Sequence, residues 1–138
     1  MNAATALRAR FLSDGVGTSS PQTLLVRLYD RLVRDLSVAE EAQRAGDRSG
    51  ANTQLLHAQA IVDALTASLD TTAWDGAREL AAIYAFLRSE LVAANIGADA
   101  DRTAACRALV EPLRDAWHTA VTGGPAPAAA AATVEASA

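Results

Sequence analysis

The chain has 138 residues, 51% of them apolar, so it can bury one hydrophobic core without disulfide or metal support and reads as a single domain. Its formal net charge of -4 excludes an ordinary nucleic-acid binder, which needs a basic surplus to meet phosphate. Aromatic residues make up only 4% and alanine supplies much of the apolar content, which argues against a sheet-built core and for closely packed helices.

Residues 1–20 hold an apolar cluster, Phe11, Leu12 and Val16, in a Ser-, Gly- and Thr-rich stretch ending in Thr18, Ser19, Ser20 and Pro21. Ser20 offers a helix cap, and Pro21 fills the first helical position, where its missing N–H costs nothing. From there Leu25, Leu28, Leu32, Leu36 and Ala39 recur at spacings of three and four. Leu24, Tyr29 and Val33 widen this stripe, and Gly46 stops it.

After a break from Gly46 to Gly50, a second stripe runs through Leu55, Ala58, Ile61, Val62, Leu65 and Leu69 and ends near Asp70. The segment from Asp70 to Gly76 contains Trp74, and a third stripe of Leu80, Ile83, Tyr84, Leu87, Leu91 and Ala94 is closed by Gly97. The fourth, Cys106, Leu109, Val110, Leu113, Trp117 and Val121, follows Asp99 and Asp101, both suitable caps. Pro112 lies inside it and is expected to kink the helix or split it in two. Residues 122–138 turn to Gly, Pro and Ala, a composition expected to stay disordered.

Four amphipathic helices with short connections predict an all-α fold, an antiparallel up-and-down four-helix bundle over residues 21–121. The first helix carries more apolar surface than one seam requires. Either it is the central helix, or part of its arc awaits a partner.

Candidate chemistry is thin. A di-iron site in a bundle needs two Glu-x-x-His pairs, and the nearest match is Asp115 with His118, the other histidine being His57. Neither a metal nor a cofactor is expected. Cys106 lies on an apolar stripe, where a thiol packs rather than reacts, and as the sole cysteine it cannot form an internal disulfide. No phosphate-cradling glycine pattern is present. Arg27, Arg31 and Arg34 share a face, but Asp30 and Asp35 stand four residues from Arg34 and Arg31, which reads as a solvent face of alternating charge. Trp74 and Trp117 are expected to seal an end of the bundle, with Trp117 also a candidate partner anchor. The amino-terminal residues lack a signal-length apolar stretch, and no window approaches the ~18 apolar residues of a membrane span.

The order Phe11, Val16, Thr18, Ser19, Ser20, Pro21, Leu24, Leu25, Leu28, Tyr29, Asp30 resembles the opening of the FliS family of flagellin export chaperones, with its TASP and LYD motifs. Leu56, Ala58, Ala60, Ile61, Leu65 and Leu69 are similar to its second helix. Leu80, Tyr84, Leu91, Ala94 and Asn95 resemble its third, and Leu113, Arg114, Ala116 and Trp117 its last, so the likeness spans roughly residues 8–120. Phe11 stands where that family usually has tyrosine, Ser19 replaces its usual alanine, and Arg27 and Arg31 replace the methionine and glycine that commonly flank LYD.

The resemblance implies a non-enzymatic chaperone in the bacterial cytosol, a monomer or weak dimer without cargo. It would bind the carboxy-terminal segment of flagellin, prevent premature polymerisation and present the cargo to the flagellar type III export apparatus. Leu25, Leu28, Tyr29, Leu32, Ile61, Leu65, Tyr84, Leu87, Leu91 and Trp117 are then expected to divide between core and cargo groove, with the ring of Tyr29 in or beside the groove. Phe11 and Val16, in a cap segment over residues 1–20, are expected to lie over part of that groove when cargo is absent. The alternative is a generic helical-bundle adaptor or oligomerisation domain.

Overall fold

The computed structural model describes residues 21–122; the expected cap segment and the tail beyond Thr122 lie outside the described residues. Four helices follow one another: α1 (Pro21–Arg44), α2 (Arg48–Ser68), α3 (Ala77–Ile96) and α4 (Ala100–Val121). Each packs on its sequence neighbours, and α4 returns to α1, closing an antiparallel ring. Cross-helix pairs set the register. Asp30 meets His118, Glu40 meets Arg107 and Arg44 meets Asp101 along α1 and α4, while Asp63 meets Arg88 and Asn52 meets Asn95 along α2 and α3.

The boundaries follow from local chemistry. Gly46 takes the left-handed backbone (φ 76°) that ends α1 and costs a glycine nothing. The next helix starts sooner than the Gly46-to-Gly50 break suggests, because the Asp47 carboxylate accepts the Gly50 N–H at 2.9 Å and caps it. Asp99, rather than Asp101, caps α4 by accepting the Arg102 N–H. Gly76 precedes α3 beneath the Trp74 ring, whose edge lies 2.3 Å from where a Cβ would stand, so any other residue collides with it.

α4 does not split. It runs continuously through Pro112, which faces solvent, so the Ala108 carbonyl that loses its helical partner can be hydrated.

The surplus apolar surface of α1 resolves into the first of the two options. It is the central helix, packed most broadly against both α2 and α4, and Leu25, Val26, Tyr29, Leu32, Val33, Leu36 and Ala39 are all buried. At the turn end, Gln43 ties three helices. Its Nε2 donates to the Ala94 carbonyl of α3 at 3.1 Å, and its Oε1 accepts from the buried Thr103 hydroxyl of α4 at 2.7 Å.

One side chain overturns the expected solvent face of α1. Asp35 is 1% exposed, not solvated. The broad arc of α1 carries it into the α1–α2 seam, where Arg31 Nε donates to Oδ1 at 2.9 Å and His57 Nδ1 holds Oδ2. A buried carboxylate is tolerated only with such partners.

Candidate functional site

Leu25, Tyr29, Leu32, Ile61, Leu65, Tyr84, Leu87, Leu91 and Trp117 all lie in the core, and Leu28 is half-buried against it. Phe11 and Val16 lie outside the described residues. Four of the buried residues also meet at one end of the bundle, where Leu25, Leu65, Tyr84 and Trp117 line a shallow hollow together with Ser68, Leu69 and Leu80. All four helices contribute. Beneath it the Tyr29 and Tyr84 hydroxyls hydrogen-bond at 2.5 Å, and the Trp117 ring stacks on Tyr29 with centroids 6.4 Å apart.

Burial dominates the ionisation of this pair. It pushes the Tyr29 hydroxyl up to about 12 against the opposing hydrogen bonds from Tyr84 and Trp117, and pushes Tyr84 well above its ordinary value. Both phenols are neutral at any physiological pH, so the pair is a structural lock and not an acid–base device.

The apolar surface left in solvent lies elsewhere. Ile96 is 75% exposed, Phe86 59% and Leu56 52%, with Val38 and Val121 less so. Phe86 points outward from α3. Leu56 stands one turn from Asn52 on α2, and Ile96 shares with Asn52 a cleft of about 360 Å³ between α2 and α3, also lined by Arg48, Ser49 and Asn95. Large aliphatic and aromatic groups held in water at this extent on facing helices offer contact area and no reactive chemistry. Sequence reasoning passed over Phe86 and Ile96. The available signal was that both fall off the 3.6-residue core stripe of their helix, Tyr84, Leu87, Leu91 and Ala94.

The groups that might have carried chemistry are otherwise engaged. His57 is held by Asp35, and His118 Nε2 lies 2.9 Å from Asp30 Oδ1. Among the described residues no three His, Cys, Asp or Glu side chains converge on a metal-sized site. Cys106 is buried, and desolvation pushes its thiol up to about 11. A thiol reagent at neutral pH is therefore expected to leave Cys106 unmodified until denaturant unfolds the chain; rapid labelling of native protein would contradict its burial.

Comparison with known proteins turns this apolar bundle into a recognisable type. A family described as "Flagellar protein FliS" matches residues 3–123, which takes in all four helices. The chain belongs to the FliS family. The flagellar secretion chaperone FliS of Bacillus subtilis (strain 168) is 28% identical over 111 residues, covering 80% of this chain and 83% of that protein. The FliS match also extends over most of residues 1–20, the stretch that carries Phe11 and Val16. Within this FliS-family chain, no described helix is long and apolar enough to cross a membrane.

Proposed function

We propose that this protein is a flagellar export chaperone that acts in the bacterial cytosol without catalysing a reaction. It binds the disordered carboxy-terminal segment of flagellin, keeps it from polymerising, and hands it to the type III export apparatus. The observation that carries the reading is the exposed apolar surface of Leu56, Phe86 and Ile96 on a member of the FliS family. Flagellin's terminal segment is amphipathic and disordered as a monomer, so substitute apolar contacts occupy it before it finds other flagellins. Coupled folding of this kind costs about 2–5 kcal/mol in ordering, which keeps the grip reversible for release.

Phe11 and Val16, in residues 1–20, serve in this proposal as a cover over the hollow of Leu25, Leu65, Tyr84 and Trp117 before cargo arrives. The helix that follows them begins at Pro21, one turn from Leu25 at that end of the bundle.

Co-purification tests the reading. Full-length flagellin of the same organism should be retained, and a version lacking its carboxy-terminal segment should be lost. Phe86→Glu should weaken retention at least ~10-fold while moving stability by no more than about 0.5 kcal/mol, as expected of a surface substitution away from packed features. Equal retention of both flagellins would sink the chaperone reading and leave the helical adaptor.

A further inference from the structure

The seams of the bundle are not equally closed: α3 and α4 pack less closely than any other neighbouring pair. The ion pair of Arg102 with Glu90, 3.3 Å long, marks the face these two helices share. Along α3, Phe86 and Ile83 stand one and two turns before Glu90 on that side; along α4, Ala105, Leu109 and Ala116 follow Arg102 at helical spacing. An apolar channel results. Ile83 and Leu109 are partly buried against the core at its floor, Ala105 and Ala116 keep its α4 wall low, and Phe86, 59% exposed, stands at its edge.

The chain itself offers a segment that fits this channel. α4 ends at Val121, and Gly123, Gly124 and Pro125 follow as a reversal signal. From Ala126 to Val134 the sequence carries no charge, and Val134 is the sole large aliphatic residue after Thr122. The lengths agree. From Thr122 back to Ala105 the helix rises about 25 Å, and the nine steps from Pro125 to Val134, in the extended form that prolines favour, span about 28 Å. The antiparallel pairing of Glu90 with Arg102 puts Phe86 level with Ala105 and Cys106, so Val134 arrives beside the Phe86 ring. Ala128 to Ala132 then lie over Ala116 and Leu109, where small side chains let a second backbone approach. Such a composition cannot build a core, but it can lie extended on a surface already built. The FliS match ends at residue 123, so this segment lies outside the matched region.

We infer that residues 126–134 fold back along α4 as an intramolecular cover of the α3–α4 channel, with Val134 seated against Phe86. The occupant is the tail of this same chain. Tethering makes a weak contact sufficient, because a segment joined by a short linker is present at an effective concentration on the order of millimolar. Phe86 is also the contact assigned to flagellin above, so on the chaperone reading the cover competes with cargo. It lowers the apparent cargo affinity in proportion to the fraction of protein left uncovered.

NMR spectroscopy of the isotope-labelled full chain, without cargo, tests the cover. Nuclear Overhauser contacts should join the Val134 methyls to the Phe86 ring, and residues 128–134 should be more ordered than Ala136 to Ala138. Val134→Asp should abolish those contacts and shift the Phe86 ring signals while leaving the melting temperature unchanged. Calorimetric titration with full-length flagellin should then show that variant binding about threefold or more tighter than wild type. Absent contacts, with Phe86 signals unmoved by the substitution, would overturn the cover. Contacts that form only between labelled and unlabelled copies would give the channel to a second molecule and equally overturn it. Unchanged flagellin affinity in Val134→Asp would overturn the competition with cargo. The cover is read on the free protein, so contacts in a chain that fails to bind flagellin would sustain it and sink the chaperone reading alone.

Discussion

Tyr29→Ala should cost about 3–5 kcal/mol of folding stability, the range for emptying an aromatic site in a packed core. At this chain length that lowers the melting temperature by roughly 10–20 °C. The expectation rests on position. The Tyr29 ring is 0% exposed, stacks on Trp117, and hydrogen-bonds Tyr84 across the bundle, so its removal opens a cavity where α1, α3 and α4 meet. From sequence, Tyr29 belonged in or beside a cargo groove, where loss of binding would exceed loss of stability. Its complete burial leads us to expect the opposite ordering. Thermal unfolding followed by circular dichroism decides it, and a melt displaced by only a few degrees would put the ring outside the core. Tyr84→Phe gives a finer test. It strands the Tyr29 hydroxyl from its tyrosine partner at about 1–3 kcal/mol, whereas the double change to Phe removes both hydroxyls and lies closer to neutral.

The same pair is expected to make stability fall at alkaline pH. In the unfolded chain a tyrosine ionises near 10, whereas in the folded chain burial holds Tyr29 to about 12 and Tyr84 higher. Below pH 10 both tyrosines are protonated in both states and their full contribution is present. As pH rises from 10 towards 12 the unfolded chain releases protons that the folded chain retains, so stability falls. For Tyr29 alone, the difference between 10.0 and about 12 amounts to on the order of 3 kcal/mol. Cys106 acts in the same direction from about pH 9, because its thiol is pushed up from 9.0 to about 11. Urea midpoints measured from pH 8 to 12 should therefore be level at first and then drop steeply. In the Tyr29→Phe, Tyr84→Phe double variant, the part of the drop above pH 10 should largely disappear. An equally steep fall in that variant would show that other groups govern alkaline unfolding.

Much of the architecture was legible in the pattern of residues. The stripes headed by Leu25, Leu55, Leu80 and Cys106 each lie on one helix, because a repeat of three and four residues places side chains on a single face whatever the partner. Asp99 as a cap and Gly46 as a stop were readable for the same reason, since their effects act within a few residues along the chain. The extra start signal at Asp47 is equally local and was simply overshadowed by the two glycines around it.

The site was less legible, because exposure belongs to pairs of helices and not to one. An arc as broad as that of α1 fits both a central helix and a helix awaiting a guest, and only its contacts with α2 and α4 show that its surplus is spent internally. The same packing buried Asp35, which sequence spacing had put in water, by setting His57 of α2 against it. It also left Leu56, Phe86 and Ile96 without cover, though each is as apolar as its buried neighbours. The sequence by itself determined the four helices, their order and stops such as Gly46, since periodic stripes and stop signals depend on residues close along the chain. Which apolar side chains close the core and which remain in solvent was decided only by the tertiary structure, because burial depends on what the neighbouring helices bring to the same place.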